Sequence, residues 1–256
     1  MINKISCRSF DLVTVLLSTE FKLRYNSTVL GYVWSILNPL IFAMIYFFAF
    51  KIALRVQIDN YAMFLLSGLF PWQAMQNSLN TNSNIFLHNG NIIKNTIFPK
   101  WFLPFVVVLN DLLQFVLSVP ILILGMYYYN CVFNLSFLYI FPVIILIQFL
   151  LTLGLSLFLA SLNIFLRDME RLITLFTVLW FFATPIIYKE KMLPEVWRWI
   201  LYVNPASGII VNWRNIFMGE AVNYGLLGSS ALISTLMILV GAFVYRKLSW
   251  RFAEVV

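Results

Sequence analysis

Charge is scarce in this sequence: 11% of its 256 residues are Asp, Glu, Lys or Arg, while 62% are hydrophobic. A soluble domain is roughly 45–50% apolar and about 25% charged. So few charges cannot cover a water-facing surface, which excludes an ordinary soluble globular fold. Histidine and cysteine are rarer still, with one and two copies. His88 has no companion at ligand spacing, so a zinc-type site lacks its donors. Cys7 and Cys131 fall on opposite sides of the membrane in the topology below and cannot pair within one chain. None of the ten glycines is followed by lysine, so no Gly-x-x-x-x-Gly-Lys-Ser/Thr phosphate loop exists. Paired acidic motifs suited to membrane phosphotransfer are missing as well. These absences predict no catalytic residues, no metal and no cofactor in this chain.

Long apolar runs are what the sequence has instead. About 20 mostly apolar residues are needed for a helix to cross roughly 30 Å of hydrocarbon. Six runs qualify as candidates: Tyr32–Phe50, Tyr61–Leu79, Trp101–Tyr128, Phe137–Phe165, Leu172–Tyr188 and Tyr224–Tyr245. The third and fourth are long enough to tilt. The fifth is short and ends near Pro185. No stretch alternates long enough to suggest a membrane barrel. The expected fold is an all-α integral membrane protein, one domain over residues 1–256, with six transmembrane helices.

Six spans put both termini on one side. With the termini inside, the inner segments hold eleven Lys and Arg residues and the outer segments six. That bias predicts cytoplasmic termini. The net charge of +7 then reflects topology and lipid contact; nothing beyond it suggests nucleic acid. In residues 1–30, Phe10, Val13, Leu17 and Phe21 recur at helical spacing, with Asp11, Ser18 and Lys22 on another face. This predicts an amphipathic helix lying in the inner interface. On the outer side, residues 189–223 hold two short apolar stretches joined by Asn204-Pro205, with Trp197, Trp199 and Trp213 among them as tryptophans typical of the membrane interface. The expectation is a re-entrant helical hairpin between the fifth and sixth spans; a pair of surface helices is the alternative. Asp111 is the one carboxylate deep in a predicted span, beside Asn110 and Gln114. Lacking a basic partner in another span, it is expected to bond between helices rather than relay protons.

Four blocks of sequence then resemble a known family. They are Arg24-Tyr25-Asn26-Ser27-Thr28-Val29-Leu30-Gly31-Tyr32-Val33-Trp34 with Asn38-Pro39; Gly90-Asn91-Ile92-Ile93-Lys94 with Phe98-Pro99; Leu162-Asn163-Ile164-Phe165-Leu166-Arg167-Asp168 with Thr184-Pro185-Ile186-Ile187-Tyr188; and Val203-Asn204-Pro205 with Arg214 and Gly219. In this order and spacing they resemble the membrane subunits of ABC exporters that move O-antigen, teichoic acid and capsule polymers. The resemblance implies a homodimer in the bacterial cytoplasmic membrane, with two separate ATPase subunits that hold ATP and magnesium. It also implies a lipid-linked polysaccharide as cargo. A drug or small-lipid exporter on the same scaffold, and a membrane glycan-lipid transferase, are the competing functions.

Site residues follow from the sequence and that resemblance together. Phe42, Tyr46 and Phe50 recur at i, i+4, i+8; Phe176, Trp180 and Tyr188 keep the four-residue step, with the small Thr184 taking the place between Trp180 and Tyr188. Aromatic faces can stack on sugars, so these six are candidates for the substrate pathway; packing against helices or lipid is the alternative. Arg24 and Arg167 are candidates for holding a pyrophosphate head group as it first binds, or for snorkelling to ordinary lipid; Arg171 is read as snorkelling. The inner segment 80–100, carrying Asn91, Ile92, Ile93, Lys94 and Phe98, is the candidate coupling loop to the ATPase, with Ile92, Ile93 and Phe98 as the apolar knobs that need a partner.

Overall fold

The computed structural model describes residues 33–53, 55, 57–95, 98–131, 136–166 and 168–255. The interfacial helix expected over residues 1–30, Arg24 within it, Cys7 and Arg167 lie outside the described residues. Among the described residues there is no strand, and every predicted span corresponds to a helix.

Helix α1 (Val33–Tyr46) runs without a break into a π-helical stretch, Phe47–Ala53. Helix α2 (Tyr61–Ser83) follows, then two short helices, α3 (Ile85–His88) and α4 (Gly90–Asn95). The longest rods are α5 (Phe102–Tyr128) and α6 (Ser136–Asn163). Helix α7 (Met169–Ala183) is shorter. Two 3-10 turns lead to α8 (Trp199–Val203) and α9 (Pro205–Met218). Helix α10 (Tyr224–Leu248) precedes the terminal α11 (Phe252–Val255).

Among the described residues, three segments are long and apolar enough to cross a membrane: Phe102–Tyr128, Phe137–Asn163 and Tyr224–Arg251. Helix α2 has the length, 23 residues, but carries Gln73, Gln76, Asn77, Ser78, Asn80 and Asn82. It tolerates them because it runs through the middle of the bundle, against α5, α6, α7 and α9. Helix α7, at 15 residues, stops short of the predicted end at Tyr188. Thr184, with ψ 137°, leaves the helix, because the residue before a proline is driven out of the α region. The remaining Pro185–Tyr188 chain continues without helix.

The hairpin of α8 and α9 is asymmetric. Every residue of α9 from Ala206 to Phe217 is buried, among α2, α5, α6 and α10. Helix α8 stays at the rim, with Trp199, Tyr202 and Val203 exposed. A plain pair of surface helices is therefore excluded for α9. Trp213, read from the sequence as an interfacial tryptophan, is a core residue. It has no exposed surface, donates Nε1–H to Gln148 Oε1 at 2.8 Å, and meets Phe115 edge-on at 4.8 Å. A membrane-interface Trp and a core Trp look alike in sequence because both need one polar partner. Gly219 ends α9 with φ 72°, the left-handed cap that glycine adopts without strain.

The burial of α9 depends on one close crossing. A Cβ at Gly208 would collide with the Leu226 carbonyl and Ser230 Oγ of α10. Helices α6 and α10 likewise touch through Gly154 and Gly241; a Cβ on Gly154 would sit 2.6 Å from the Ile238 nitrogen. Small residues at helix crossings are how membrane helices gain contact without a hydrophobic driving force.

Candidate functional site

The two aromatic stripes belong to α1 and α7, which lie at one edge of the bundle beside α2. Phe42 stacks with Tyr46 at 6.3 Å, and Tyr46 is 6.3 Å from Phe50. Tyr46 also stacks on Phe181 of α7 at 5.2 Å. Phe181 in turn meets Trp72 of α2 at 5.8 Å, and Trp72 meets Trp180 at 5.4 Å, both edge-on. Six rings, from α1 with its π-helical continuation, α2 and α7, thus form one continuous aromatic wall.

A groove of about 200 Å³ opens between these helices, lined by Phe42, Tyr46, Trp72, Gln73, Gln76 and Phe181 among others. Trp72 donates Nε1–H to Gln76 Oε1 at 3.2 Å, which orients that amide. Trp72, Phe181, Gln73 and Gln76 were not singled out from the sequence. The available signal was the pair of amides three residues apart inside an apolar run. Gln73, Gln76, Asn77 and Asn80 are all partly or fully exposed, and they make a polar strip along α2.

The second stripe divides. Phe176 is half exposed and stacks near Trp180 at 5.3 Å. Trp180 is nearly buried and donates Nε1–H to Asn204 Oδ1 at 2.8 Å. Both line a larger apolar cavity of about 530 Å³ on the far side of α7, toward α6, α8 and α10. Tyr188 lies beyond the helix end, its hydroxyl donating to the Phe182 carbonyl at 3.3 Å. Phe42 and Tyr46 therefore share one side of α7, while Phe176 and Trp180 line the cavity on the other; Phe50 continues the first stripe without lining the groove.

Motif blocks far apart in sequence converge at the end of α7. Asn204 caps α9 by accepting from the Ala206 amide at 3.1 Å, and its Nδ2 donates to Thr184 Oγ1 at 3.0 Å. Tyr61 of α2 donates its hydroxyl to the Ile187 carbonyl at 3.0 Å. Arg214 of α9 donates Nη2–H to the carbonyls of Pro185 and Ile186, the latter at 3.0 Å. Its guanidinium lies 3.6 Å from the centre of the Phe64 ring. The carboxylates of Glu190 and Glu220 supply a compensating negative field. The carbonyls freed where Pro185 breaks the helix are thus satisfied by other helices, as a buried backbone requires.

At the opposite end the polar contacts are between helices too. Ser78 of α2 donates to Asp111 Oδ2 of α5 at 2.8 Å, the inter-helix bond expected of that carboxylate. Asn82 donates to Ser156 Oγ at 2.9 Å, and Asn163 donates to the Ser83 carbonyl at 2.8 Å. In the candidate coupling segment, residues 80–83 are the last turn of α2 and the remainder includes α3 and α4. Asn91, Ile92 and Lys94 are exposed; Ile93 is buried in an apolar cluster with Phe86, Leu103 and Phe252, and Phe98 is half-buried against it. The expectation that all three large apolar side chains project toward a partner is therefore corrected for Ile93. No group of metal-ligating side chains occurs among the described residues.

Helices of this length and apolarity, with polar groups paired across the bundle and an aromatic groove at its edge, define a polytopic α-helical membrane protein. The sequence model for the ABC-2 type transporter matches residues 11–218, and the chain belongs to that family. It is similar to the O-antigen export system permease protein RfbA of Klebsiella pneumoniae, with 41% identity over 246 residues, 96% of this chain and 95% of that protein. A second protein of that description from the same organism is 39% identical over 246 residues, 96% and 95% of the two chains. The protein of that description from Myxococcus xanthus is 30% identical over 247 residues, 95% and 94% of the two chains.

Proposed function

We propose that this chain is the membrane subunit of an ATP-driven exporter that carries a lipid-linked, O-antigen-type polysaccharide across the bacterial cytoplasmic membrane. The observation that carries the reading is end-to-end similarity to O-antigen export permeases at 41% identity over 96% of the chain. Two copies of the chain would work with two ATPase subunits that bind ATP and magnesium. The lipid pyrophosphate head would first meet Arg24 and Arg167.

The groove supports this cargo. A long polymer must slide, so its contacts should be weak and repeated. Aromatic faces accept sugars without fixing a register, and the amides of Gln73 and Gln76 can bond to the hydroxyls that every residue of a glycan repeats. Polar residues in membrane helices face protein or a water-filled cavity, and the strip from Gln73 to Asn80 suits a hydrated passage. Deleting the chain should leave polysaccharide inside the cell and none at the surface; unchanged surface polymer would refute the reading.

Within that assay Tyr46 and Trp180 are expected to behave differently. Tyr46→Ala should lower surface polysaccharide about two- to tenfold, the span of a lost aromatic contact of roughly 0.5–1.5 kcal/mol, with protein level and ATP hydrolysis retained. Trp180→Ala should lower the protein level itself, because it strips Asn204 of a buried donor. Equal losses of protein in both variants would assign Tyr46 to packing alone.

Topology gives a separate test in a cysteine-free background. Cysteines at Asn130 and Glu195 should react with an impermeant maleimide in whole cells, and those at Asn91 and Trp250 should not. The reverse pattern would invert every side assigned above. Native Cys131 has to be removed first but labels slowly, since burial, reinforced by the Glu220 carboxylate, pushes its thiol up.

A further inference from the structure

The short segment that follows α10 is anchored in the bundle. Phe252 in the four-residue α11 has no exposed surface. Its ring lies 4.8 Å from Phe86 of α3 and 6.0 Å from Tyr245 of α10, and Phe86 and Tyr245 are 6.3 Å apart. Three rings from three elements close on one point. Ile93 of α4, Leu103 and Val107 of α5, and Ile164 beyond α6 complete the same cluster.

Polar and cationic contacts hold the segment from two sides. Lys100 donates Nζ–H to the Ser249 carbonyl at 3.3 Å and lies 5.8 Å from the Phe252 ring centre. Arg251 lies 5.7 Å from the ring of Phe165, in the link between α6 and α7. Helix α11 itself rests against α4. The tail therefore touches both inner connections of the bundle. Helix α10, from which it hangs, is locked to α9 at Gly208 and to α6 at Gly154. One rigid rod thus joins the outer hairpin to the inner loop.

We propose that Ser249–Val255 is a clamp that sets the pose of α4, so that the surface offered to the motor is built from α4 and the chain's own carboxy-terminal segment. The clamp rests on the coupling role proposed for residues 80–100. Phe252 and Lys100 act as positioning residues: they fix Ile93 inward, which turns Ile92, Asn91 and Lys94 outward. Because α10 carries the tail, a shift of α4 driven by the motor would be passed to α9 through a single helix.

The test uses the full chain co-expressed with its affinity-tagged ATPase subunit. Phe252→Ala should reduce co-purification of the chain about tenfold, equivalent to about 1.4 kcal/mol, and should raise maleimide labelling of a cysteine at Ile93 in the detergent-solubilised chain alone. Phe252→Leu should restore most of both. Lys100→Met, which removes the tether to Ser249 and the cation over Phe252 while leaving every apolar side chain of the cluster in place, should shift both readouts the same way and decides the matter if Phe252→Ala does not accumulate. Unchanged labelling at Ile93 and unchanged co-purification would overturn the clamp. Ile92→Asp separates the two ideas: if it keeps the ATPase bound and export intact, the coupling role of the loop fails, whereas the Ile93 labelling result reports on the clamp without any partner.

Discussion

Gly208→Leu is expected to eliminate the folded protein from the membrane, the largest single-residue effect in this chain. The side chain would enter space already filled by the Leu226 carbonyl and Ser230 Oγ. Overpacking ordinarily costs about 1–3 kcal/mol because neighbours rotate away; a backbone carbonyl inside a helix has no rotamer to change. Relief would require α9 to withdraw from α10. That would expose Trp213 and Arg214 together and undo the cap that Asn204 provides. Gly228 is the control. Nothing lies within 4 Å of a Cβ built there, so Gly228→Ala should be tolerated or slightly stabilising, since alanine exceeds glycine in a helix interior by about 1 kcal/mol. Membrane-fraction immunoblots and size-exclusion profiles read both. Normal levels and a normal profile for Gly208→Leu would mean that α9 does not lie against α10 as described.

The second large effect is expected at Arg214. Methionine there keeps much of the volume and removes the charge, so it separates packing from hydrogen bonding. Two buried carbonyls, of Pro185 and Ile186, would lose their donor, at about 1–3 kcal/mol each. The stacking on Phe64 disappears too, worth up to about 2 kcal/mol where water is excluded. Removing a buried charge can be neutral when its partners are replaced as well, but here the carbonyls remain. The detergent-solubilised protein should unfold roughly 10 °C lower, given about 2–4 °C per kcal/mol in a domain of 150–250 residues. Arg214→Lys should fall between the two, since an ammonium cannot stack as a planar fork does. An unchanged unfolding temperature for Arg214→Met would remove Arg214 from its role at the end of α7.

Both residues stand in the hairpin of α8 and α9, and they explain why its two limbs differ. Helix α8 presents Trp199, Tyr202 and Val203 outward, so it can rest at the rim. Helix α9 carries Asn212, Arg214 and Asn215 at depth, and each is occupied. Asn212 accepts from the Asn223 amide at 2.8 Å, and Asn215 donates to the Ala221 carbonyl at 2.8 Å. These bonds fold the connection after Gly219 back along α9. Polar residues that would mark a surface helix in an isolated sequence are here the means of burying one.

Several features followed from the residues alone. Apolar length located the helices, because the hydrocarbon thickness fixes how many residues a span needs. The helix break at Pro185 was visible as a proline, although the helix yields at Thr184, one residue earlier. Asp111 was correctly expected to bond across helices, because a lone carboxylate at that depth must find a donor. The blocks around Asn91, Asn163, Thr184 and Asn204 pointed to the family now shown over residues 11–218. What the sequence could not decide is which side of a helix each residue uses. Tyr46 and Trp180 have the same spacing within their stripes, yet one lines the groove beside α2 and the other bonds to Asn204 across α7. Ile92 and Ile93 are adjacent and identical in chemistry, yet only Ile93 is buried beside Phe252. Trp213 reads as interfacial until Gln148, 65 residues away, supplies its acceptor. In a chain this apolar, hydrophobicity distinguishes membrane from water but not protein from lipid, since lipid tails are as apolar as leucine. That second distinction is made by close helix crossings and by polar groups that must find partners, and both exist only once α9 and the tail have folded against the bundle.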